Sequence, residues 1–272
     1  MSEILAALDK HQFHMQDIWV SGTNFAYRSV EPKLNALPNG ASVLKVGCGG
    51  GILMSMLSER RPNLHFTGIE PFGDGFTGLT ELTDFLRTRG MTIHKTDYED
   101  FTPPTQYDFI YLVNVFEHLP DWRDFLQSVE CWLKPTGTCI ILCPNYDFPF
   151  EPHFNRPTYG RKAAMAKRYA PRIKFVEDKY KMPSLWDSLN FVKLSDVKAE
   201  MPNTGLTLTI DPDITGRIAE RLNWDQTFAD NMAFVGGIGK IVKALGITRL
   251  LRTKRLEQMH PYMILSLHHC IP

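Results

Sequence analysis

The stretch Ser42-Val43-Leu44-Lys45-Val46-Gly47-Cys48-Gly49-Gly50-Gly51-Ile52-Leu53 decides the fold. A short apolar run enters a glycine-crowded turn and leaves it as a helix with Ile52, Leu53, Met56 and Leu57 on one face. Glycine admits positive φ and lets a ligand approach the backbone, and a helix N-terminus offers N–H groups with no partner inside the helix. Together these make a site for a nucleotide-type ligand. A second apolar run, Leu64 to Ile69, ends in Glu70, nineteen residues after Gly51. An acid at that place suits the two hydroxyls of a ribose.

Glycine spacing narrows the ligand. A dinucleotide turn reads G-x-G-x-x-G, and its third glycine would fall on Ile52. This chain reads G-x-G-x-G instead. Outward from the turn, short apolar runs at 42–46, 64–69, 91–95, 107–113 and 138–143 alternate with helical patterns near 51–60, 77–89 and 121–133. That alternation predicts a parallel sheet with helices on both faces. Tyr107 to Val113 (YDFIYLV) is nearly all apolar, as a strand buried on both faces requires. Before the sheet, helices are expected near 2–19 and 23–36, closed by the Leu37-Pro38-Asn39-Gly40 turn. After Pro144-Asn145, aromatics and prolines fill 146–160 and a basic stretch runs to about 181. Strand-like segments at 206–210 and 262–268 then frame residues of mostly helical character.

Taken in order, Val43-Leu44, the G-x-G-x-G turn, Glu70, Thr96-Asp97-Tyr98, Asn114-Val115-Phe116-Glu117-His118-Leu119-Pro120-Asp121 and Leu133-Lys134-Pro135-Thr136-Gly137 resemble the class I S-adenosylmethionine (SAM) methyltransferases. The resemblance covers residues 41–145 well and the final strand loosely. It implies an α/β, Rossmann-like, doubly wound sheet of seven mostly parallel strands with an antiparallel last strand, plus helical cap insertions. Residues 1–40 would be helices covering the cofactor site, 41–145 the SAM-binding core, and 146–272 the substrate cap with the last two strands. The insertions within it would be 146–204 and 211–260.

The resemblance also assigns roles. Gly47, Cys48, Gly49 and Gly51 would hold the methionyl part of SAM and Glu70 its ribose, with Phe72 flanking the adenine. Asp97, with Tyr98 beside it, would accept from the adenine amino group, and Asn114 and Val115 would pass beside the methionine tail. Tyr27 and Arg28 lie on a helix that family members fold over SAM, where a guanidinium clamps a carboxylate bidentately or makes a surface ion pair. One departure stands out: the family has an acid two residues before the first glycine, and this chain has Lys45. Lys45 opposes the SAM ammonium unless it is neutral, points away, or pairs with Glu70 or Glu117. Alternatively it contacts the SAM carboxylate.

Methyl transfer asks mainly for positioning, and a base is needed when the nucleophile is a hydroxyl or an ammonium. Two histidines are the candidates. His118 follows Glu117 beside the expected methionine tail, where it serves catalysis or shapes the turn. His153 sits in a loop about ten residues after the fifth strand, at the sheet end where open α/β folds bind ligands. No metal-ligand spacing stands out. Aromatic residues Tyr146, Phe148, Phe150, Tyr159 and Trp186 suit a ring-bearing or apolar acceptor, or are simply core.

Bulk properties bound the partners. Hydrophobic content of 43% and charged content of 22% are ordinary for a soluble globular chain. No run approaches the roughly 18 apolar residues of a membrane span. Five cysteines without C-x-x-C fit reduced thiols and a cytoplasmic protein. Net charge is zero, yet residues 1–155 carry 11 basic against 19 acidic side chains and the remainder 19 against 11. Gly236 to Arg255 is basic and amphipathic, which fits either a packed cap helix or peripheral contact with an anionic membrane. Nucleic acid is the weaker reading, since no binding module accompanies the basic residues. The expectation is therefore a SAM-dependent methyltransferase for a small, partly apolar acceptor, lipid-like ones included. Its rival is a non-catalytic module binding a SAM-like ligand.

Overall fold

The computed structural model describes residues 3–11, 16–73, 80–231, 253 and 256–270. Helices α1 (Glu3–His11) and α2 (Gln16–Leu34) precede β1 (Ser42–Val46), α3 (Ile52–Arg60), β2 (His65–Ile69), α4 (Thr80–Arg87) and β3 (Ile93–His94). The chain then crosses to β4 (Tyr107–Val113), α5 (Trp122–Trp132) and β5 (Leu133–Pro144). Next come a small hairpin, β6 (Phe150–Glu151) and β7 (Arg156–Pro157), and helices α6 (Lys162–Tyr180), α7 (Leu185–Ser188) and α8 (Leu194–Glu200). Strand β8 (Leu206–Ile210), helices α9 (Ile214–Trp224) and α10 (Gln226–Asn231), and β9 (Tyr262–His269) complete the described elements.

The seven strands lie in the order β3-β2-β1-β4-β5-β9-β8. β9 runs antiparallel to both neighbours, and the pairs among β1 to β5 are parallel. Strand order reverses between β1 and β4, and a crevice opens there at the carboxyl ends of the strands.

Period-two alternation divides the core. Val43, Phe109, Tyr111, Ile140 and Leu142 face one side, where they meet Phe25, Val30 and Leu34 of α2 and Leu53 and Leu57 of α3. Leu44, Val46, Ile110, Leu112, Cys139, Ile141 and Cys143 face the other, against Phe125, Leu126, Val129 and Trp132 of α5. A third apolar cluster lies outside the sheet layers, joining Phe154, Met165, Tyr169, Val176, Leu185, Trp186 and Leu189. All five cysteines are unpaired. Among the described residues no helix is long and apolar enough to cross a membrane.

Three boundaries differ from the sequence expectation. Instead of breaking near residues 20–22, α2 runs unbroken through Gly22. One glycine inside a helix costs about 1 kcal/mol, less than burying Phe25, Val30 and Leu34 returns. β5 begins at Leu133 rather than 138, because pairing with β4 starts at Tyr107↔Leu133, skips Lys134 to Gly137, and resumes at Phe109↔Thr138. β3 shrinks to two residues at the sheet edge. The amphipathic segment 236–255 lies outside the described residues apart from Thr253.

Arg61 fixes the end of α2. Its guanidinium donates to Leu34 O at 2.6 Å, which also accepts from Leu37 N–H, and to Leu37 O at 2.7 Å in the turn that follows the helix. Arg61→Ala should therefore cost about 1.5–3 kcal/mol in urea unfolding. An unchanged unfolding midpoint would show that these bonds contribute nothing net.

Candidate active site

Three alternating glycines shape the turn. Gly47, Gly49 and Gly51 have φ of 60°, 52° and 81°, whereas Cys48 and Gly50 do not have positive φ. The G-x-G-x-G spacing is thus a backbone requirement, since left-handed φ is costly for most other residues. A Cβ on Gly47 would lie 2.4 and 2.6 Å from the methyl carbons of Val115, so the turn and the loop after β4 touch through a missing side chain. The Cys48 side chain packs below the turn with Met54, Phe72 and Ile93.

Above the turn lies a cavity of about 400 Å³, within the usual range for small-molecule sites. The turn, Glu70, Asp97, Tyr98, Asn114 and Val115 all border it. From the helix above come Trp19, Gly22, Thr23 and Ala26, and His118, Leu119, Pro120 and Ser188 form the end beyond β4. Tyr27 and Arg28 do not belong to the lining. Arg28 stacks its guanidinium 4.1 Å from the Trp224 ring centroid, and Tyr27 packs on the α2 side of the sheet core. The face of α2 that meets the cavity repeats at i, i+3, i+4 and i+7 from Trp19, a spacing visible in the sequence. Phe72, expected beside an adenine, is buried under the turn.

Glu70 holds the turn from below. Its Oε2 accepts from Gly49 N–H at 2.7 Å and its Oε1 from Phe72 N–H at 3.4 Å. Burial raises the carboxyl above its ordinary range, opposed by those two amides and by Lys45. Lys45 is buried on the same strand face as Tyr111, with Nζ 5.2 Å from that ring and donating to Gly47 O at 3.1 Å. Burial pushes its ammonium down to about 8, against the attraction of Cys48 and Glu70. Asp97 Oδ1 accepts from Asp100 N–H, and the Tyr98 hydroxyl donates to Asp121 O. Asn114 has φ of +50°, a conformation asparagine tolerates better than most residues, and turns the chain out of β4.

Past Asn114, a turn of 3-10 helix (Phe116–His118) sets Glu117 and His118 beside His153 of the β6–β7 hairpin. The two imidazole centroids are 5.4 Å apart. His153 Nδ1 lies 2.6 Å from Glu151 Oε1, and His118 Nδ1 lies 2.8 Å from Ser188 Oγ. Burial lowers His118 to about 3, with His153 and Lys162 adding to the effect. Burial also pulls His153 down, but the carboxylates of Glu151 and Glu117 outweigh it and leave its pKa raised. Burial pushes Glu117 up to about 7, opposed chiefly by His153. Sequence spacing gave no sign of this gathering, because His153 and Ser188 arrive from distant segments.

The Lys45 environment has a measurable consequence. The unfolded chain holds that proton up to its ordinary value of 10.5, and the folded chain only to about 8. Between these values the unfolded state binds more protons, so this group makes stability rise with pH. Below about 8 its burial penalty is present in full. Lys45→Met should therefore gain more stability relative to the native chain at pH 7 than at pH 10, read from urea unfolding at both. The opposite order would mean that Lys45 is not desolvated.

Comparison with known proteins places this geometry. A methyltransferase domain matches residues 8–209. An uncharacterized protein of Mycobacterium tuberculosis is 33% identical over 225 residues, covering 80% of this chain and 76% of the relative. The ubiquinone biosynthesis O-methyltransferase of Actinobacillus pleuropneumoniae is 34% identical over 128 residues, 43% of this chain and 50% of that enzyme. The solved cyclopropane synthase of Mycobacterium tuberculosis shares the fold at a TM-score of 0.52 and 14% identity, covering 88% of this chain and 82% of the other. The glycine turn, the acid after β2 and the seven-stranded sheet have one common setting: the chain belongs to the class I SAM-dependent methyltransferases, with SAM as its cofactor.

Proposed function

We propose that this methyltransferase alkylates a hydroxyl of a small, partly apolar acceptor, held at the end of the cavity formed by His118, Leu119, Pro120 and Ser188. The observation that carries the reading is that His118 borders the cavity at that end, with Glu117 and His153 gathered beside it outside the lining, while the glycine turn and Glu70 occupy the other end. SAM supplies a sulfonium-activated methyl, and its transfer to a hydroxyl forms a C–O bond, leaves the S–C electron pair on sulfur as a neutral thioether, and releases a proton. The chain's own tasks are positioning and removal of that proton. Positioning falls to the turn residues Gly47 to Gly51, with Glu70 on the ribose and Asp97 toward the adenine. His118 and His153 assist departure of the proton. The partial likeness to ubiquinone biosynthesis O-methyltransferases supports an oxygen acceptor with apolar character. Leu119 and Pro120 supply an apolar wall, and the described cavity is too small for a folded macromolecule to enter.

Two measurements test this. Glu70→Ala should weaken SAM binding in calorimetry by about 1.5–3 kcal/mol, since it strips a carboxylate that receives hydrogen bonds. Unchanged affinity in a folded variant would remove Glu70 from the cofactor site. His153→Ala should lower methyl transfer to a hydroxyl acceptor by roughly 10²–10⁴ with SAM affinity preserved. Native turnover in that variant would place the acceptor elsewhere.

A further inference from the structure

Three lone-pair donors converge beside the cavity. Glu117 is wholly buried, and beyond its own backbone amide neither carboxylate oxygen has a hydrogen-bond partner among the described residues. His118 and His153 each turn Nε2 toward Glu117 Oε1 at 4.0 Å, too far for a hydrogen bond. The contrast with nearby Glu151 is sharp. Glu151 is equally buried, yet its oxygens accept from the amides of His153 and Phe154, from His153 Nδ1 and from the Tyr146 hydroxyl.

The opposite nitrogen of each ring fixes what Nε2 presents. His153 Nδ1 donates to the Glu151 carboxylate, so in the neutral ring Nε2 carries the lone pair. The Ser188 hydroxyl spends its hydrogen on Leu185 O at 2.8 Å, so its oxygen accepts from His118 Nδ1–H, and His118 Nε2 likewise carries a lone pair. With both rings neutral and the carboxyl ionised, two imidazole lone pairs and a carboxylate thus face one another.

We propose that Glu117 Oε1, His118 Nε2 and His153 Nε2 hold a divalent transition-metal cation. Each of the three residues offers a ligand atom within 4.8 Å of the others, so an ion equidistant from them would sit roughly 2.5 Å away. Inward rotation by a few tenths of an ångström reaches the roughly 2.0–2.2 Å of zinc–imidazole and zinc–carboxylate bonds. Two imidazoles and one carboxylate suit zinc, iron or cobalt better than magnesium or calcium, which favour oxygen. Glu151 and Ser188 act on the ligands through Nδ1, the outer partners that a metal-binding histidine ordinarily has. Because His118 also borders the cavity, the ion adjoins the proposed acceptor space. There it would bind the acceptor's hydroxyl oxygen and ease loss of the proton to solvent. That role rests on the proposed methyl transfer to oxygen, whereas the binding site itself does not.

The test is titration of full-length, chelator-stripped protein with cobalt(II) chloride at pH 8, without SAM, followed by visible absorption and calorimetry. One cobalt per chain should bind, giving ligand-field bands and no thiolate charge-transfer band. Glu117→Gln and His153→Gln should each weaken binding at least about 100-fold, and Glu151→Gln, which keeps all three ligands, about 10–100-fold. Circular dichroism and SAM calorimetry check that each variant is folded. Should Glu117→Gln or His153→Gln fail to fold, Glu151→Gln and Ser188→Ala decide the matter. Failure of the native protein to bind cobalt, a thiolate band, or affinity indifferent to these changes would overturn the proposal and leave a water or a shared proton in the gap. Cobalt binding without SAM binding would instead sink the cofactor reading alone, and SAM binding without cobalt the metal site alone.

Discussion

One side-chain hydrogen bond ties the glycine turn to the sheet: Gly49 N–H to the buried carboxylate of Glu70. It joins the turn after β1 to the end of β2, two elements brought level by the register Val46↔Ile69. Backbone bonds fix two other amides of the turn, Cys48 N–H to Ile69 O and Gly51 N–H to Cys48 O, and leave Gly49 N–H for the carboxylate. The carboxylate fixes that amide, and together with Phe72 N–H it stabilises a charge that burial opposes. Lys45 fits the same electrostatics. Its ammonium reaches the carbonyl of Gly47 and lies close enough to Glu70 to favour both charged forms. The lysine that stands where the family has an acid is thus directed at the turn's own backbone, with Tyr111 beside it.

Much of the fold was legible because buried strands and amphipathic helices write their periods into the chain. YDFIYLV reads as a central strand, and β4 occupies those residues with both faces covered. The glycine pattern translated directly into three positive φ values. Local pattern failed where tertiary contact overrides it. Nothing near Gly22 says that α2 continues, since the helix is held by packing on α3 and on the sheet. Nothing near Lys134 says that four residues will bulge out of the β4 pairing.

The candidate site divides along the same line. Its glycine-turn end is built from consecutive backbone, so spacing exposes it. The end proposed for the acceptor depends on side chains that meet only after folding: Glu117 and His118 from the loop after β4, His153 from a hairpin, Ser188 from the end of a short helix. Tyr27 and Arg28 illustrate the limit from the other side. Adjacent residues on a helix point about 100° apart, so the element was readable and the face was not. The residues bordering the cavity lie on the neighbouring face, at Trp19, Thr23 and Ala26.

The two ends also differ in how they tolerate change. A backbone-built turn depends on φ values, so replacing Gly47 sets strain against Val115 whatever the new side chain does chemically. The side-chain cluster depends on hydrogen-bond direction instead. Glu151 determines which nitrogen of His153 faces Glu117, and Ser188 does the same for His118. Both partners come from segments outside the alternating β/α core, whose packing rests on the separate cluster around Phe154 and Trp186. That cluster joins His153 and Ser188 indirectly: Phe154 follows His153, and Leu185 and Trp186 share α7 with Ser188. Repacking it would shift both Nδ1 partners together while leaving the glycine turn untouched. The fold thereby separates the side-chain cluster proposed to serve the acceptor from the geometry of the glycine turn.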